Sequence, residues 1–154
     1  MMKPYKIAAK AIIFCNDQVL VLRKSKEERL AKNHHGWDFP GGGLEPDEPI
    51  MEALAREVLE ETGLRVQVIG PVYIYDEVQQ DRHLVIMKFA CHQPEGKLIL
   101  SSEHESAHWY PLTNISSSAL PEWMKDEVHR AWHLYRNPPA EAVRAMLERH
   151  MVDG

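Results

Sequence analysis

The chain has little cysteine, no long apolar run and no excess of positive charge, and each shortage removes a class of protein. Only two cysteines occur in 154 residues. Cys15 and Cys91 lie far apart, each inside a strand-like apolar stretch; a single pairing of the two stays open, and reduced core thiols are the expectation. No apolar run approaches the roughly 20 residues that a membrane-spanning helix needs. The start, Met-Met-Lys-Pro-Tyr-Lys, lacks the apolar core of a secretory leader. A cytoplasmic protein with no membrane partner is therefore expected. Lysine and arginine number 18 against 23 acids, a formal net charge of −5. Affinity built on many phosphate contacts needs a basic surface, so no stable nucleic-acid partner is expected. Repeats, linkers and low-complexity tracts are also missing, and the length fits one domain over 1–154.

What is present is acid, and it is local. Residues 1–41 carry eight Lys/Arg and four Asp/Glu, and residues 65–154 carry nine and twelve. Between them, residues 42–64 contain Glu45, Asp47, Glu48, Glu52, Glu57, Glu60 and Glu61 with Arg56 as the only base, a net −6. Nearly all the excess negative charge thus sits in one short segment.

Lys6–Cys15 and Val19–Arg23 read as strands joined by a turn at Asn16-Asp17-Gln18. Lys24–Gly36 reads as a charged surface loop. Trp37-Asp38-Phe39 is a short strand stopped by Pro40 and Gly41-Gly42-Gly43. Ile50–Thr62 has helical period, with Met51, Leu54, Ala55 and Val58 in one apolar stripe and Gly63 as its stop. Further strands are expected at Arg65–Ile69, Val72–Val78, His83–Cys91, Lys97–Leu100 and Ala107–Tyr110. Pro121–Arg136 reads as an amphipathic helix with Met124, Val128, Ala131, Trp132 and Tyr135 on one face, and a last helix is expected at about 140–151. The order is that of a mixed α+β domain.

On the first helix Glu57, Glu60 and Glu61 share a side, because positions i, i+3 and i+4 are neighbours. Like charges there destabilise an isolated helix, so a structural role gives them no benefit. A hard divalent cation does, since Mg²⁺ takes oxygen from a few carboxylates and completes its shell with water and substrate phosphate. Arg56 can pair with Glu60 at i+4, and the glycines before the helix allow close backbone approach and a free carbonyl.

Gly42, then Glu48 after five residues, then Arg56-Glu57-Val58-Leu59-Glu60-Glu61-Thr62-Gly63-Leu64 after seven more, resembles the complete Nudix box, G-x5-E-x7-R-E-U-x-E-E-x-G-U with U aliphatic. The preceding Trp37-Asp38-Phe39-Pro40-Gly41 is also typical of that family. The resemblance implies a Nudix fold, an α/β/α sandwich with a mixed sheet and the box as loop–helix–loop. It implies Mg²⁺- or Mn²⁺-dependent hydrolysis of a nucleoside diphosphate linked to a group X. By matching positions, Glu57, Glu60 and Glu61 bind metal with the Gly41 carbonyl, while Glu48 and Arg56 orient them. Relatives add a glutamate from a later loop before a Trp-containing strand. Glu103, six residues before Trp109, is the first candidate for it and Glu105 the second. Candidates for accepting the proton of the attacking water are Glu57, Glu60 and Glu103.

Arg23 and Lys24, with Lys26, follow the second strand and are candidates for substrate phosphate. His34 and His35 lack metal-ligand spacing and are expected on the surface. Trp37, Phe39, Tyr73 and Tyr75 can stack on a base, although strand aromatics are more often core. Position 80, where the resemblance places a proline in ADP-ribose hydrolases, is Gln80, and residues 80–82 lack the tyrosine of diadenosine polyphosphate hydrolases. A MutT-like nucleoside triphosphate pyrophosphohydrolase, releasing nucleoside monophosphate and pyrophosphate, is the leading expectation. An ADP-ribose or nucleotide-sugar pyrophosphatase is the first alternative, and a non-catalytic ligand-sensing or RNA-contacting module the second. The substrate partner is a small nucleotide, and the edge strands and the helix at 121–136 leave a homodimer open.

Overall fold

The computed structural model describes residues 2–32 and 35–141. In chain order it contains β1 (Tyr5–Cys15), β2 (Gln18–Lys24), α1 (Lys26–Lys32), β3 (Trp37–Asp38) and β4 (Gly41–Gly43). These are followed by α2 (Ile50–Thr62), β5 (Leu64–Val78), β6 (His83–Gly96), β7 (His104–Pro111), a 3₁₀ turn (Leu112–Asn114) and α3 (Glu122–Arg136).

The apolar run in β1 has its physical reason in the sheet. Ala8, Ala9, Ala11, Ile12, Ile13 and Phe14 are all buried, which requires cover on both faces of the strand. Asn16 and Asp17 adopt left-handed φ of 50° and 61°, the geometry of a tight hairpin turn, and set Cys15 opposite Gln18. On its other side β1 runs parallel to β6, from Tyr5↔His83 to Phe14↔His92. β6 pairs antiparallel with β5, β2 with β3 and β7, and β4 with β1. The result is one mixed, seven-stranded sheet.

Alternation along β1 separates two cores. Ala9, Ala11 and Ile13 pack with Met51, Leu54 and Val58 of α2. Ile12 and Phe14 pack with Met124, Val128 and Ala131 of α3. Each buried Val, Leu, Ile, Met or Phe among them contributes roughly 1.5–3 kcal/mol. The α+β class and the helix-covered mixed sheet expected from the sequence are the observed architecture.

Several elements differ from the sequence reading. The expected loop at Lys24–Gly36 contains α1, which has no buried residue and so no apolar stripe to announce it. It is held by its ends: Ser25 Oγ accepts the Glu28 N–H at 3.2 Å, with acids in the first turn and bases in the last, matching the helix dipole. Lys97–Leu100 is not a strand. Leu98 and Leu100 pack on the α2-side core, while Ile99 N–H donates to Thr62 O at 2.8 Å and Ser101 N–H to Glu61 O at 3.1 Å. The alternation there comes from packing across the end of α2. Arg65–Ile69 and Val72–Val78 are one strand with register shifts around Gly70-Pro71. In α2 Ala53 is buried and Ala55 only half-buried. The helix expected at 140–151 lies, beyond residue 141, outside the described residues.

Candidate active site

The site starts from two glycines with different jobs. Gly41 has φ of +139°, and a Cβ there would lie 2.1 Å from the Ala9 carbonyl oxygen. Only glycine lets the chain cross β1 so closely. Gly41 N–H then donates to Glu61 Oε2 at 2.9 Å, and its carbonyl accepts from Lys10 Nζ at 3.2 Å. At Gly42 a Cβ would meet the Glu57 carboxylate at 2.7 Å. The missing side chain is the seat of that carboxylate.

Arg56 organises the remaining acids. Its Nε and Nη2 donate to the two oxygens of Glu48 at 2.7 and 2.9 Å. Its Nη1 donates to Glu57 at 3.1 Å and to Glu60 at 3.2 Å, and Nη2 also reaches Gly43 O at 3.3 Å. The i+4 pairing with Glu60 expected from spacing is therefore present. Hydrogen bonds from Arg56 and the Glu45 N–H hold the Glu48 carboxyl down at about 2. Glu61 behaves oppositely. It is 6% exposed, and burial pushes its carboxyl up to about 7 against the pull of Lys10 and the Gly41 N–H.

These residues fit a hard divalent cation by the chemistry of their donors. Glu57, Glu60, Glu61 and the Gly41 carbonyl offer only oxygen, as Mg²⁺ requires. Glu61 is a buried carboxylate whose ionisation the protein's own cations leave incompletely offset. Among the described residues no three His, Cys, Asp or Glu side chains form a closed metal cluster. Glu57 and Glu60 turn toward Arg56 and Glu61 toward Gly41. The Glu60 side chain is 58% exposed.

The later-loop candidates separate clearly. Glu105 is bound to Arg29 of α1 at 2.7 Å. Glu103 is exposed, with its backbone carbonyl accepting the Ser25 N–H at 3.0 Å, two residues after the loop is tied to Glu61 through Ser101.

Beside the box lies a group of buried charges of which reading the sequence singled out only Lys24. Asp38 is bonded by Lys10 at 3.0 Å, Lys24 at 3.4 Å and His104 Nε2 at 3.1 Å. Burial alone would raise the Asp38 carboxyl, but these partners outweigh it and hold it far below the ordinary range. Lys10, although desolvated, is raised by Asp38 and Glu61. Lys88 and Glu127 form a second buried pair, at 2.8 Å. The signal available was a single charge inside an apolar strand, Lys10 in β1 and Lys88 in β6, which is costly unless paired.

Lys10, Lys24, Asp38 and Lys88 line a cavity of about 110 Å³ with Trp37, Phe39, Tyr75 and Trp123. A wider one of about 320 Å³ shares His35, Tyr75 and Trp123 and adds Tyr73, Glu77 and Glu127. Of the phosphate candidates, Lys24 thus faces the cavity. Arg23 stacks on Trp37 at 4.3 Å, and its buried Nη1 has no hydrogen-bond partner among the described residues. Phe39 does belong to the core, whereas Tyr73 and Tyr75 are cavity walls. His35 is on the surface as expected but borders both cavities, and His34 lies outside the described residues.

A family model described as NUDIX domain matches residues 4–133. The chain is 38% identical over 80 residues to a MutT-like protein of Streptomyces ambofaciens, covering 52% of this chain and 51% of that one. It therefore spans about half the length of that relative. Over 120 residues it is 25% identical to the 8-oxo-dGTP diphosphatase of Escherichia coli strain K12, covering 78% and 90% of the two chains. The crystal structure of a MutT protein from Methanosarcina mazei Go1 superposes with a TM-score of 0.69 at 30% identity, covering 86% of this chain and 96% of that one.

Proposed function

Because the chain belongs to the Nudix family, we propose that it is a divalent-metal-dependent pyrophosphohydrolase that cleaves nucleoside triphosphates to nucleoside monophosphate and pyrophosphate. The observation that carries this reading is the adjacency of an all-oxygen donor set to a cationic, aromatic-walled cavity. Gly41 belongs to the first through its carbonyl, and Lys10 joins that carbonyl to the cavity.

A bound Mg²⁺ or Mn²⁺ would neutralise phosphate oxygens and make water a better nucleophile. The residues that would hold it are Glu57, Glu60, Glu61 and the Gly41 carbonyl, with Glu103 from the loop after β6. Arg56 keeps Glu57 and Glu60 together before the cation arrives and fixes Glu48 at the start of the helix. Lys10, Lys24 and Arg23 attract and orient the anionic chain of phosphates. A carboxylate of the set, Glu57, Glu60 or Glu103, accepts the proton of the attacking water. The Trp37, Tyr75 and Trp123 rings exclude water around the base.

The test is a nucleotide panel with Mg²⁺, scored separately for phosphate and pyrophosphate. Release of pyrophosphate from triphosphates, abolished by EDTA, is the expected result. Turnover confined to ADP-ribose or nucleotide sugars would replace this substrate with the first alternative. Binding without turnover of any of them would leave a sensing module.

A further inference from the structure

We infer that His104 is a positioning residue: its bond to Asp38 sets the turn that carries Glu103, and with it the Glu103 carboxylate. The inference rests on the metal-dependent reading above and names what holds the candidate donor that comes from a later loop. The His104 side chain is wholly buried, directly after an exposed glutamate. Its Nε2 donates to Asp38 Oδ2 at 3.1 Å, and its Nδ1 has no hydrogen-bond partner among the described residues. A bare buried nitrogen costs free energy that an apolar residue of similar size does not. Packing alone therefore gives no reason for a histidine here, and the bond to Asp38 does.

The strand is built to aim this ring. β7 pairs with β2 as Ala107 with Leu22, Ser106 with Arg23 and then His104 with Lys24, so Glu105 is an extra residue. Opposed residues share a face of the sheet, and successive residues alternate. In a regular strand Ala107 and His104 would face opposite sides. The bulge brings His104 onto the face of Leu22 and Ala107, which packs on the α2-side core. Bulges beside active sites re-aim side chains in this way. Lys24 and His104 then both reach Asp38, while Glu105 turns to Arg29.

The backbone around Glu103 is tied at several points. His104 N–H donates to the Ser101 carbonyl at 3.3 Å and closes a turn over residues 101–104. Ser101 N–H donates to Glu61 O at 3.1 Å, and the Glu103 carbonyl accepts the Ser25 N–H at 3.0 Å. One end of the turn is thus tied to the box helix and the other, through the ring, to Asp38. Asp38 also accepts from Lys10 at 3.0 Å, which donates to the Gly41 carbonyl at 3.2 Å. A single carboxylate therefore fixes two of the proposed oxygen donors, those of Gly41 and Glu103, relative to each other.

The experiment compares three variants. His104→Leu keeps bulk and removes the bond, His104→Gln keeps an N–H donor at the reach of Nε2, and His104→Asn stops short of it. With Mg²⁺ and a nucleoside triphosphate, the Leu and Asn variants should lower kcat about 10- to 100-fold. KM for the nucleotide should change less than about twofold, because Lys10 and Lys24 stay paired with Asp38. His104→Gln should recover most of the loss. In a Glu103→Gln background, His104→Leu should lower kcat less than about twofold further, since the group it positions is already gone. A histidine that only stabilises the fold gives the full loss in both backgrounds. That result, or a Gln variant no better than Asn, overturns the proposal. Should His104→Leu not fold, the Gln and Asn variants carry the same comparison. Mn²⁺ binding, read from the electron paramagnetic resonance of the free ion, repeats the cycle without turnover. Each single substitution should weaken it about tenfold, and the pair no further. If no triphosphate is hydrolysed yet the Mn²⁺ cycle is non-additive, the reaction assignment fails and the positioning role stands. If triphosphates are hydrolysed and both cycles are additive, the positioning role fails and the reaction stands.

Discussion

Replacing Gly41 by alanine and Gly42 by alanine adds one methyl group at adjacent positions, and the structure gives the two changes different fates. At Gly41 the new Cβ falls 2.1 Å from the Ala9 carbonyl oxygen and 2.7 Å from Lys10 Cα, at a φ of +139°. Backbone cannot rotate aside as a side chain does, so the β1–β4 pairing of Ala9 with Gly42 and Lys10 with Gly41 must open. A strained φ costs about 1–3 kcal/mol and overpacking against fixed atoms roughly as much again. For a domain of this size, about 3–5 kcal/mol lowers Tm by about 10 °C or more. At Gly42 the obstacle is the end of the Glu57 side chain at 2.7 Å, which moves. Stability should hold within about 1 kcal/mol, as for ordinary solvent-side changes, while turnover falls about 10- to 100-fold because a carboxylate of the proposed metal set is displaced. Thermal unfolding by circular dichroism and pyrophosphate release with Mg²⁺ measure the two quantities. A Gly41→Ala protein as stable as wild type would refute the steric argument. A Gly42→Ala protein with full turnover would show that the position of Glu57 over the glycine is irrelevant to chemistry.

Glu60→Gln and Glu61→Gln should each lower turnover by at least about 100-fold, since cation capture and charge neutralisation both suffer; steady-state kinetics over a range of Mg²⁺ concentrations decides. Glu103→Gln should reduce turnover sharply and Glu105→Gln should leave it near wild type, because Glu105 is committed to Arg29; the reverse ranking in the same assay would exchange the two roles. Glu61 also sets a pH dependence, since its carboxyl is raised from 4.5 to about 7. That contribution is fully present below the unfolded value and lost as pH rises toward 7, roughly 3 kcal/mol in all. Urea midpoints in EDTA should therefore fall between pH 5 and 8 more in wild type than in Glu61→Gln, and parallel curves would be contrary evidence. Asp38→Asn strands the ammonium groups of Lys10 and Lys24 in a buried site and should destabilise the fold by about 3–5 kcal/mol, read as a lower urea midpoint.

The box was legible in the sequence because its chemistry is written in local spacing. Glu48, Arg56, Glu57, Glu60 and Glu61 lie within 14 consecutive positions, and their pairing in space follows from one turn and one helix. The stripe of α2, the hairpin at Asn16-Asp17 and the amphipathic face of α3 were legible for the same reason. The cavity was not. Lys10, Asp38, Lys88, Trp123 and Glu127 come from β1, β3, β6 and α3, and they meet only through the β1–β6 and β2–β3 pairings and the packing of α3 on the sheet. Glu127 was the harder case, because a glutamate three residues from Met124 and four from Ala131 reads as the polar border of a helix. Helix α1 was missed because capping and dipole interactions, which leave no periodic apolar trace, hold it in place.

The register of β1 and β6 explains why two ion pairs are needed and not one. Lys10 and Lys88 are direct partners in the parallel ladder, so their side chains leave the same face of the sheet, about 5 Å apart at the backbone. Both line one cavity. Two buried ammonium groups at that spacing repel, and Lys10 indeed disfavours the charged form of Lys88. Each therefore has its own carboxylate, Asp38 from β3 and Glu127 from α3. Lys24 shares Asp38, so the smaller cavity is lined by three lysines and one acid. The box, by contrast, has an excess of six negative charges within residues 42–64. A phosphate chain running between them meets cations from the protein at one end, and at the other requires a cation brought from solution. In the proposed reaction, that division assigns the base to the lysine side and the scissile anhydride to the glutamate side. Removing the charge at Lys10 alone, as in Lys10→Met, leaves Asp38 paired with Lys24 and His104 and should therefore weaken nucleotide binding even when Mg²⁺ is saturating, which equilibrium binding of a non-hydrolysable triphosphate to the folded variant would measure.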